Sequence, residues 1–402
     1  MIIRKAFKYR FKTNKKIEGE LSRISGCCRF VWNKALALQK ERLEAGEYCL
    51  SYPEMAALLL EWKAAPETSF LKEAPSQALQ QTLMNLDKAL KEAFDKKNPK
   101  RFPRFKKKGQ HDSFRFPQGF KIDGNRISLP KTGWVGFFKS RDIEGTPKNI
   151  TVSRRGIHWF VSIQTEQKIE IPVHPSDSVV GIDMGIKRFA TLSDGSFIEP
   201  LSSFRKLEIK LAREQRKLSR KVKGSSSSRK QKAKISRIHI NIADARNDFI
   251  HKNSTTISKN HAVVVLEDLR ISNMSRSAKG DMETPGRNVR AKSGLNKSIL
   301  DQGWYEFKRQ LEYKEAWMGG MTISVSPRNT SRTCPVCGLV NPENRKTQSR
   351  FACVQCGYTE NADYVAAMNI LAVGHTVSAC GEAVRPKKSV RAALMKQESP
   401  VL

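Results

Sequence analysis

The sequence lacks any hydrophobic run long enough to cross a membrane. No stretch of about 18 apolar residues occurs in its 402 residues, so no transmembrane helix and no membrane partner are expected. The opening residues, MIIRKAFKYRF, also lack the apolar centre of a signal peptide. These absences predict a protein of the reducing cytoplasm, where disulfide bonds are rare. The eight cysteines are therefore expected to be free thiols or metal ligands.

Acidic residues are scarce relative to basic ones. The chain has 39 Asp and Glu against 73 Lys and Arg, which gives a formal net charge of +34. Such an excess opposes compact folding unless an anionic partner neutralises it, so the composition predicts binding to nucleic acid. A merely solvated basic surface is the alternative. Hydrophobic residues make up 39% of the chain, which is enough to build cores, and the length predicts several domains.

The N-terminal part of the sequence changes from a strand pattern to a helix pattern and back. Residues 2–11 alternate apolar and basic side chains, as expected for an edge strand with one phosphate-facing side. Residues 17–95 carry apolar side chains at three- and four-residue steps, which predicts a small helical domain. Residues 150–163 predict a β-hairpin that turns at Arg155 and Gly156. This mostly β module is expected to pair with the N-terminal strand.

Two strongly basic segments are candidates for contact with nucleic acid. The basic clamp, residues 96–108 (KKNPKRFPRFKKK), suits an extended segment that grips a nucleic-acid backbone, although a solvated linker is the alternative. The basic rail, residues 204–250, predicts two helices separated by a flexible linker at residues 224–228, able to hold a duplex or a strand. The candidate contacts in the two segments are Arg101, Phe102, Arg104, Phe105, Lys106, Arg216, Lys217, Arg220 and Lys221.

Four cysteines have the spacing of a metal site. Their pattern is C-x2-C-x15-C-x2-C, formed by Cys334, Cys337, Cys353 and Cys356. Two such pairs of thiolates can complete a tetrahedral shell around Zn²⁺. A glycine follows each pair, where the chain curls back under the metal and needs a residue tolerant of positive φ. Because four thiolates leave no open position for water, the pattern predicts a zinc ribbon with a structural Zn²⁺.

Three acids occupy similar places in the sequence pattern. Asp183 ends the predicted strand VVGID, Glu267 ends the predicted strand VVVLE, and Asp363 precedes the apolar helix AAMNI. Carboxylates at neighbouring strand ends and at a facing helix start can converge, and hard Mg²⁺ ions would hold them together. Two such ions would activate a water and stabilise the leaving 3′ oxygen, which predicts hydrolysis of phosphodiester bonds. A helix cap or a solvated charge is the alternative for each acid taken singly.

The rest of the C-terminal half has simpler patterns. Residues 304–317 predict a helix and residues 321–326 predict a strand that runs into the cysteine cluster. Residues 271–296, rich in Ser, Arg, Lys and Gly, are expected to form a mobile loop. The tail from Gly374 onward is expected to be disordered.

Two classes of strand-transfer enzyme do not fit the sequence. Transposases that act through a tyrosine need a His-x-His metal pair, and no two of the seven histidines are two residues apart. The DDE transposases carry their acids in the order Asp, Asp, Glu. Here the order along the chain is Asp183, Glu267, Asp363.

The order of these motifs resembles the TnpB proteins, the transposon-encoded RNA-guided nucleases of bacteria and archaea that are related to type V CRISPR effectors. The first RuvC motif of that family is matched by GIDMGIK at residues 181–187, the second by LEDL at residues 266–269, and the third by NADYVAAMNI at residues 361–370. The four-cysteine ribbon lies between the second and third motifs. Further matching segments extend the resemblance over nearly the whole chain, namely RFVWNK at residues 29–34, FPRFK at residues 102–106 and QLEYK at residues 310–314.

The resemblance implies a multidomain α+β fold in five parts. These parts are a wedge β-barrel at residues 1–16 and 98–176, a helical recognition domain at residues 17–97, a RuvC-like (RNase H-like α/β) nuclease domain at residues 177–326 and 358–373, the zinc ribbon at residues 327–357, and a disordered tail at residues 374–402.

The resemblance also implies partners and an activity. A guide RNA derived from the transposon end would be bound by a monomer in the bacterial or archaeal cytoplasm, and double-stranded DNA would be cut beside a short transposon-adjacent motif. That motif would be read near the positions of Tyr52, Gln77 and Gln80, whose side chains can bond base edges. Pairing with the guide would supply the sequence specificity. The alternative is a non-cleaving RNA-guided DNA-binding repressor, known among relatives that have lost RuvC acids, whereas all three acids are present here.

Overall fold

The fold was analysed in a computed structural model, which describes residues 1–97, 100–170 and 172–379. The described residues divide into two compact units, residues 2–168 and residues 169–379 together with Met1. The expectation of a mixed α/β protein with more than one domain is confirmed, and the boundaries of the five predicted parts stay a prediction. Residues 98 and 99 of the basic clamp, residue 171, and the predicted tail from residue 380 onward lie outside the described residues.

The first unit consists of a long strand, three helices and a group of further strands. Its elements are β1 (Ile2–Arg10), α1 (Lys15–Glu44), α2 (Tyr52–Ala64), α3 (Ser76–Ala93), β2 (Ser113–Phe116), β3 (Lys121–Asp123), β4 (Arg126–Leu129), β5 (Gly133–Gly136), β6 (Thr146–Arg155) and β7 (His158–Lys168). A 3-10 helix, Pro66–Glu73, lies between α2 and α3. The predicted N-terminal strand, helical segment and hairpin are all confirmed.

The strands of this unit form two open sheets. One has four antiparallel strands in the order β1-β7-β6-β2, and the other has three in the order β3-β4-β5. A bridge between Phe11 and Phe137 joins them. The predicted closed β-barrel is therefore wrong. Strands β3 to β5 are only three or four residues long, too short to carry a ladder round from β2 to β1, so β1 remains the edge strand that its sequence predicted.

The core of this unit is one hydrophobic cluster that takes side chains from the helices and from both sheets. Leu21 and Leu36 of α1 and Leu83 of α3 are fully buried there together with Phe116 and Ile150 from the sheet. Burying each such side chain contributes about 1.5–3 kcal/mol. The helix periodicity and the strand alternation read from the sequence therefore point at the same core.

The second unit is built around a sheet with parallel central strands. Its elements are β8 (Val179–Asp183), β9 (Ala190–Leu192), β10 (Phe197–Ile198), α4 (Ser203–Ser219), α5 (Ser226–Asn260), β11 (Val263–Glu267), α6 (Ile271–Met274), α7 (Val289–Gln302), α8 (Trp304–Met318), β12 (Met321–Val325), β13 (Arg350–Ala352), β14 (Thr359–Asn361) and α9 (Ala362–Ala379). The five-stranded sheet has the order β10-β9-β8-β11-β12, with β8, β11 and β12 parallel. Strands β13 and β14 form a separate two-stranded sheet.

Three expectations for this unit need correction. Part of the predicted loop at residues 271–296 is helical, because Ile299 of α7 buries itself in the core and draws the preceding turns into a helix. The predicted flexible linker at residues 224–228 ends in helix α5, whose N-cap Ser225 accepts a hydrogen bond from Ser228 N at 3.1 Å. Residues 374–379 of the predicted tail continue α9.

Among the described residues, no helix is both apolar enough and long enough to span a bilayer.

Candidate functional site

Two of the predicted acids lie side by side at the carboxyl edge of the parallel strands. Strands β8 and β11 pair in register up to Ile182 and Leu266, and Asp183 and Glu267 are the residues that follow this pair. Adjacent strands in a sheet are about 4.8 Å apart. The local reason for the placement is plain, because each acid ends a run of apolar residues that the core buries.

The third acid comes from the start of helix α9. Asp363 lies in the first turn, and Asn361 before it acts as the helix cap, because its Oδ1 accepts hydrogen bonds from the backbone N–H groups of Asp363 at 3.0 Å and Tyr364 at 3.3 Å. A negative charge in the first turn faces the positive end of the helix dipole. Helix α9 packs directly on β8, where Gly181 leaves room for the helix backbone.

The negative charges of Glu267 and Asp363 affect the pKa of Asp183. Burial first, and then the negative charges of Glu267 and Asp363, together raise the pKa of Asp183 to about 7, against an opposing effect of Arg345. Burial also raises the pKa of Glu267, while a hydrogen bond from Thr330 and the charge of Arg345 oppose that rise. A buried carboxyl beside two other carboxyls holds its proton because a third negative charge is unfavourable there. The structure therefore brings the three predicted acids into one electrostatic cluster, the acid cluster.

The acid cluster is looser than a closed metal shell. Among the described residues, the four cysteines form the group whose ligand atoms all lie within 4.8 Å of one another, and the three carboxylates do not form a comparably tight group. Repulsion between the carboxylates and the pull of a neighbouring arginine account for this spacing.

That arginine was not predicted. Arg345 Nη2 lies 3.1 Å from Asp363 Oδ1, and the same nitrogen donates to Gln348 O at 2.9 Å. Arg345 ends a 3-10 helix, Pro342–Arg345, between the two cysteine pairs. No periodicity or spacing singles out one cation among the 73 in this sequence, so only the folded structure identifies this arginine as part of the site.

Two uncharged residues that sequence reasoning missed hold Glu267 in place. The hydroxyl of Thr330 donates to Glu267 Oε1 at 2.6 Å, and both side chains are buried. Asn369 of α9 donates to Thr330 O and to Thr333 O, both at 2.8 Å. A buried carboxylate without such a donor would lose much of its solvation. Asn369 lies six residues after Asp363 within an apolar helix, and a polar side chain there was the available signal.

The four cysteines lie together as the sequence predicted. Their Sγ atoms all lie within 4.8 Å of one another, a group that could hold a metal ion. Gly338 and Gly357 both have φ of +74°, and their N–H groups donate to the carbonyls of Cys334 and Cys353. The backbone N–H of Cys356 lowers the pKa of Cys353 to about 6, which favours a thiolate. The donor set and the turns both fit a tetrahedral metal.

The cysteine cluster also contacts the first turns of helix α9. Phe351 is fully buried together with Ala362 and Val365, in the same small core as Cys334 and Cys353. The N–H of Ala362 donates to Ser349 O at 3.1 Å. The fold of residues 334–356 therefore helps to determine where α9 begins, and so where Asp363 lies.

The basic clamp is an extended segment that is fixed to helix α1. Trp32 Nε1 donates to Arg104 O at 3.0 Å, and Asn33 makes hydrogen bonds to both the N–H and the C=O of Lys106. Lys106 Nζ lies 3.9 Å from the centre of the Trp32 ring. The solvated-linker alternative does not describe a segment held in this way.

The other predicted clamp residues differ in exposure. Arg101 and Arg104 are exposed. Phe105 is 47% exposed with Lys40 Nζ 4.9 Å from its ring centre, whereas Phe102 is partly buried against the core. Phe105 is therefore available to a base in a way that Phe102 is not.

The basic rail is a pair of packed helices, α4 and α5, held together by Leu211, Ile238 and Ile242. A buried acid, Glu214, accepts a hydrogen bond from Gln231 Nε2 at 2.8 Å and fixes the register of the pair. The four predicted contacts lie at the C-terminal end of α4 and just beyond it: Arg216, Lys217, Arg220 and Lys221. Lys217 Nζ lies 3.0 Å from Glu214 Oε1.

The three residues expected to read an adjacent motif lie at two helix starts. Tyr52 begins α2 and is partly buried against the core. Gln77 and Gln80 lie in the first turns of α3, the former half-buried and the latter exposed. Gln80 therefore has the freest access to a base edge.

Comparison with known proteins gives matches over nearly all of the chain. Residues 161–278 match the family described as "Probable transposase", residues 1–47 match a "Helix-turn-helix domain", and residues 304–370 match the "Cas12f1-like, TNB domain". The chain is 54% identical over 388 residues to the "Putative RNA-guided DNA endonuclease InsQ" of Escherichia coli (strain K12), covering 96% of each chain. It is 36% identical over 393 residues to a "Putative RNA-guided DNA endonuclease" of Streptomyces pristinaespiralis, covering 96% of this chain and 93% of that one.

A similar fold occurs among solved structures. The protein in a structure described as "Cryo-EM structure of the Cas12f1-sgRNA-target DNA complex" aligns with a TM-score of 0.51 at 16% sequence identity, covering 92% of this chain and 98% of that one. At that identity the likeness shows the fold alone.

The fold is thus the mixed α/β fold seen in a compact nucleic-acid-binding protein, with an acid cluster at one sheet edge and a cysteine cluster beside it. The whole-length identities show that the chain belongs to the TnpB family, to which the order of its motifs pointed.

Proposed function

We propose that the protein is an RNA-guided DNA endonuclease, which binds a guide RNA and hydrolyses phosphodiester bonds in double-stranded DNA beside a short adjacent motif. The observation that carries the proposal is the acid cluster, in which Asp183, Glu267 and Asp363 come from three distant points in the sequence. The relatives named above as RNA-guided DNA endonucleases support the same activity.

The acid cluster fits divalent cations. The carboxyl of Asp183 is partly buried, and its pKa is raised to about 7. It would therefore gain from a nearby positive charge, and hard oxygen ligands are those that Mg²⁺ prefers. Asp183, Glu267 and Asp363 would hold two Mg²⁺ ions, whose chemistry is to polarise the water and the phosphate and to stabilise the leaving oxygen. This arrangement belongs to the RuvC-like domain that the motifs predict.

The chain's own residues position the carboxylates. Thr330 holds Glu267 Oε1 through its hydroxyl, and Asn369 holds the loop that carries Thr330. Asn361 fixes the helix turn on which Asp363 lies. Arg345 balances part of the negative charge at Asp363, and its guanidinium offers further donors to a phosphate that enters the site.

We assign the cysteine cluster to a structural Zn²⁺ in a zinc ribbon. The four thiols complete the shell of a tetrahedral ion, so the metal would brace the chain just before α9 and take no part in the reaction. Guide RNA and DNA would be bound through the basic clamp and the basic rail, and Tyr52, Gln77 and Gln80 would contact the adjacent motif.

The test compares two neighbouring acids. We expect Glu267→Gln in the protein–guide RNA complex to bind matched DNA normally and to lose cutting of a matched plasmid in Mg²⁺ by a factor of at least about 10². Asp268→Asn is the matched control, because Asp268 has a 64% exposed side chain that pairs with Lys308 at 2.8 Å, pointing to a surface role.

The outcomes separate the candidate functions. Equal loss of cutting in both variants would reject the assignment of Glu267, and full activity of Glu267→Gln would reject the acid cluster. Guided binding without cutting by the unaltered protein, in Mg²⁺, would favour the non-cleaving repressor.

A further inference from the structure

One face of the four-stranded sheet in the first unit is polar. In the register of the sheet, Arg115 on β2 lies opposite Thr151 on β6, which in turn lies opposite Ser162 on β7. One step along, Asn149 on β6 lies opposite Gln164 on β7. Because side chains alternate across a strand, these residues share the face of the sheet opposite the one that carries Phe116 and Ile150. The sequence analysis did not assign a role to any of them.

Helix α3 covers part of this face and leaves a cavity beneath it. The cavity has a volume of about 250 Å³ and is lined by Gln81 and Asn85 of α3, by the polar side chains of the sheet, and by Lys106 of the basic clamp. This volume is far larger than a single buried water requires. The cavity is therefore large enough for a polar group of a ligand.

Arg115 is held in this cavity by a chain of amides. Asn149 is buried, and its Nδ2 donates to Gln164 Oε1 at 2.5 Å while its Oδ1 accepts from Arg115 Nε at 3.1 Å. This bond uses one of the five guanidinium N–H donors, and the two terminal nitrogens remain for a ligand. Arg115 is thus held in position by Asn149, which is in turn held by Gln164.

Lys106 is held from the other side. Asn33 fixes both backbone groups of Lys106, and the Trp32 ring lies under its ammonium group. Burial lowers the pKa of Lys106, as expected for a cation that has lost water without gaining a carboxylate.

The cavity contains cations and no acid. None of its lining residues is Asp or Glu, and among the described residues no carboxylate forms an ion pair with Lys106 or Arg115. Two partly buried cations without a counter-ion are unfavourable unless an anion joins them. Apart from Ala6 and Phe114, the remaining lining side chains are hydroxyls and amides, which are neutral hydrogen-bond donors.

We propose that this cavity binds one phosphate group of a nucleic-acid backbone, with Arg115 and Lys106 as its cationic ligands and Ser162, Thr151 and Gln81 as neutral donors. A guanidinium group can bind two oxygens of one phosphate at once. The site would fix one point of the nucleic-acid strand against the β-sheet. It rests on the proposed function in one respect, because nucleic acid is the source of the phosphate.

The test measures binding and leaves cutting aside. Arg115→Gln, Lys106→Gln and Asn149→Asp are compared with Arg126→Gln, in which an exposed arginine of the same unit, paired with Asp123 at 2.7 Å, loses the same charge. Asn149→Asp keeps the size of the side chain and the bond to Arg115, and it places a carboxylate where the phosphate would bind. Thermal unfolding identifies any variant that fails to fold.

We expect each cavity variant to weaken binding about ten- to hundredfold, as for loss of a charged hydrogen bond. The slope of log affinity against log salt should fall in magnitude by about 0.7 for a single-stranded ligand or about 0.9 for a duplex, as for one lost phosphate contact. Binding by all three variants that is indistinguishable from binding by Arg126→Gln would overturn the proposal.

Two assays identify the strand that supplies the phosphate. Guide RNA binding to the free protein is one arm, and binding of matched DNA to the RNA-loaded protein is the other. A loss in the first arm assigns the site to RNA, and a loss confined to the second assigns it to DNA. If the variants lose binding while the unaltered complex fails to cut, the proposed nuclease function fails and the phosphate site stands. If the complex cuts and the variants bind normally, only the phosphate site fails.

Discussion

Asp183 is the residue of the acid cluster that is expected to titrate near neutral pH. Its pKa is raised to about 7 because the carboxyl is partly buried and has Glu267 and Asp363 beside it. A metal ligand must lose its proton before it binds, so metal affinity at this site should fall as the pH drops below neutrality.

The same pKa makes a prediction about stability without metal. The pKa of Asp183 is raised from 3.8 to about 7 in the folded protein, so between these values the native state binds more protons than the unfolded state. The contribution of Asp183 to stability should therefore fall as the pH rises from about 4 to 7. We expect Asp183→Asn to raise the unfolding temperature at pH 8 in buffer without Mg²⁺ and to change it little at pH 4.

Magnesium supplies the control for this prediction. Added Mg²⁺ should raise the unfolding temperature of the unaltered protein at pH 8 and should affect Asp183→Asn much less, because a ligand that binds only the native state stabilises it. Equal pH dependence in the two proteins would show that Asp183 is not the titrating group.

At the residue scale, the sequence predicted the acids and missed what holds them. Asp183 and Glu267 could be predicted because each ends an apolar run, and strand ends meet at one edge of a parallel sheet. Arg345 and Thr330 could not be, because their roles depend on how the loops around the cysteine cluster fold back onto the strand ends.

At the scale of elements, strand β8 and helix α9 approach each other closely at Gly181. A Cβ atom added at Gly181 would lie 2.7 Å from Leu371 N and 2.8 Å from Leu371 Cβ, with the carbonyl of Ala367 also in the way. Since helix backbone and strand backbone meet here, no side chain can move aside to make room. This glycine sets the distance between Asp183 and the helix that carries Asp363.

We expect Gly181→Ala to destabilise the protein by about 1–3 kcal/mol, as overpacking does, and to abolish cutting. Gly19→Ala is the matched control, because an added Cβ in that position of α1 meets nothing within 4 Å. It should instead stabilise the helix by about 0.5–1 kcal/mol. Denaturant unfolding and plasmid cutting measure both effects, and a Gly181→Ala protein that cuts normally would contradict this packing argument.

The cysteine cluster packs against the first turns of the same helix, α9. We expect Cys353→Ser, or removal of zinc by a chelator, to increase hydrogen exchange in residues 359–370 and to abolish cutting, because Cys353 shares a core with Val365. Cys49→Ser, in the first unit, should change neither. Retained cutting without zinc would show that the ribbon is dispensable for placing Asp363.

The individual helices and strands could largely be predicted from the sequence. Whether the sheets close into a barrel could not. The alternation of apolar and polar side chains from Ile150 to Ile163 predicts the hairpin of β6 and β7 directly. Whether a barrel closes depends on the lengths and tilt of all its strands. Strands β3 to β5 have only three or four residues each, so their sequences are hard to distinguish from those of loops.

For the whole molecule, the net charge of +34 should dominate how binding responds to salt. We expect affinity for RNA and for duplex DNA to fall steeply with ionic strength, because each phosphate contact releases counterions. Lys221→Gln, at the end of the basic rail, should reduce the magnitude of the slope by about 0.7 to 0.9. Lys252→Gln, whose lysine is paired with Asp248 at 2.8 Å, should leave it unchanged. A flat response to salt would contradict the rail.

The pairing of β1 with β7 has a consequence for synthesis on the ribosome. Ile2 lies opposite Lys168 and Arg10 lies opposite Phe160, so β1 has no partner on this edge until β7 has left the exit tunnel. At about 5–20 residues per second, the delay between the two strands is roughly 10–30 s. Charged side chains on an unpaired strand oppose its association with other chains, so we expect the lysines and arginines of β1 to protect the nascent chain from aggregation during that time.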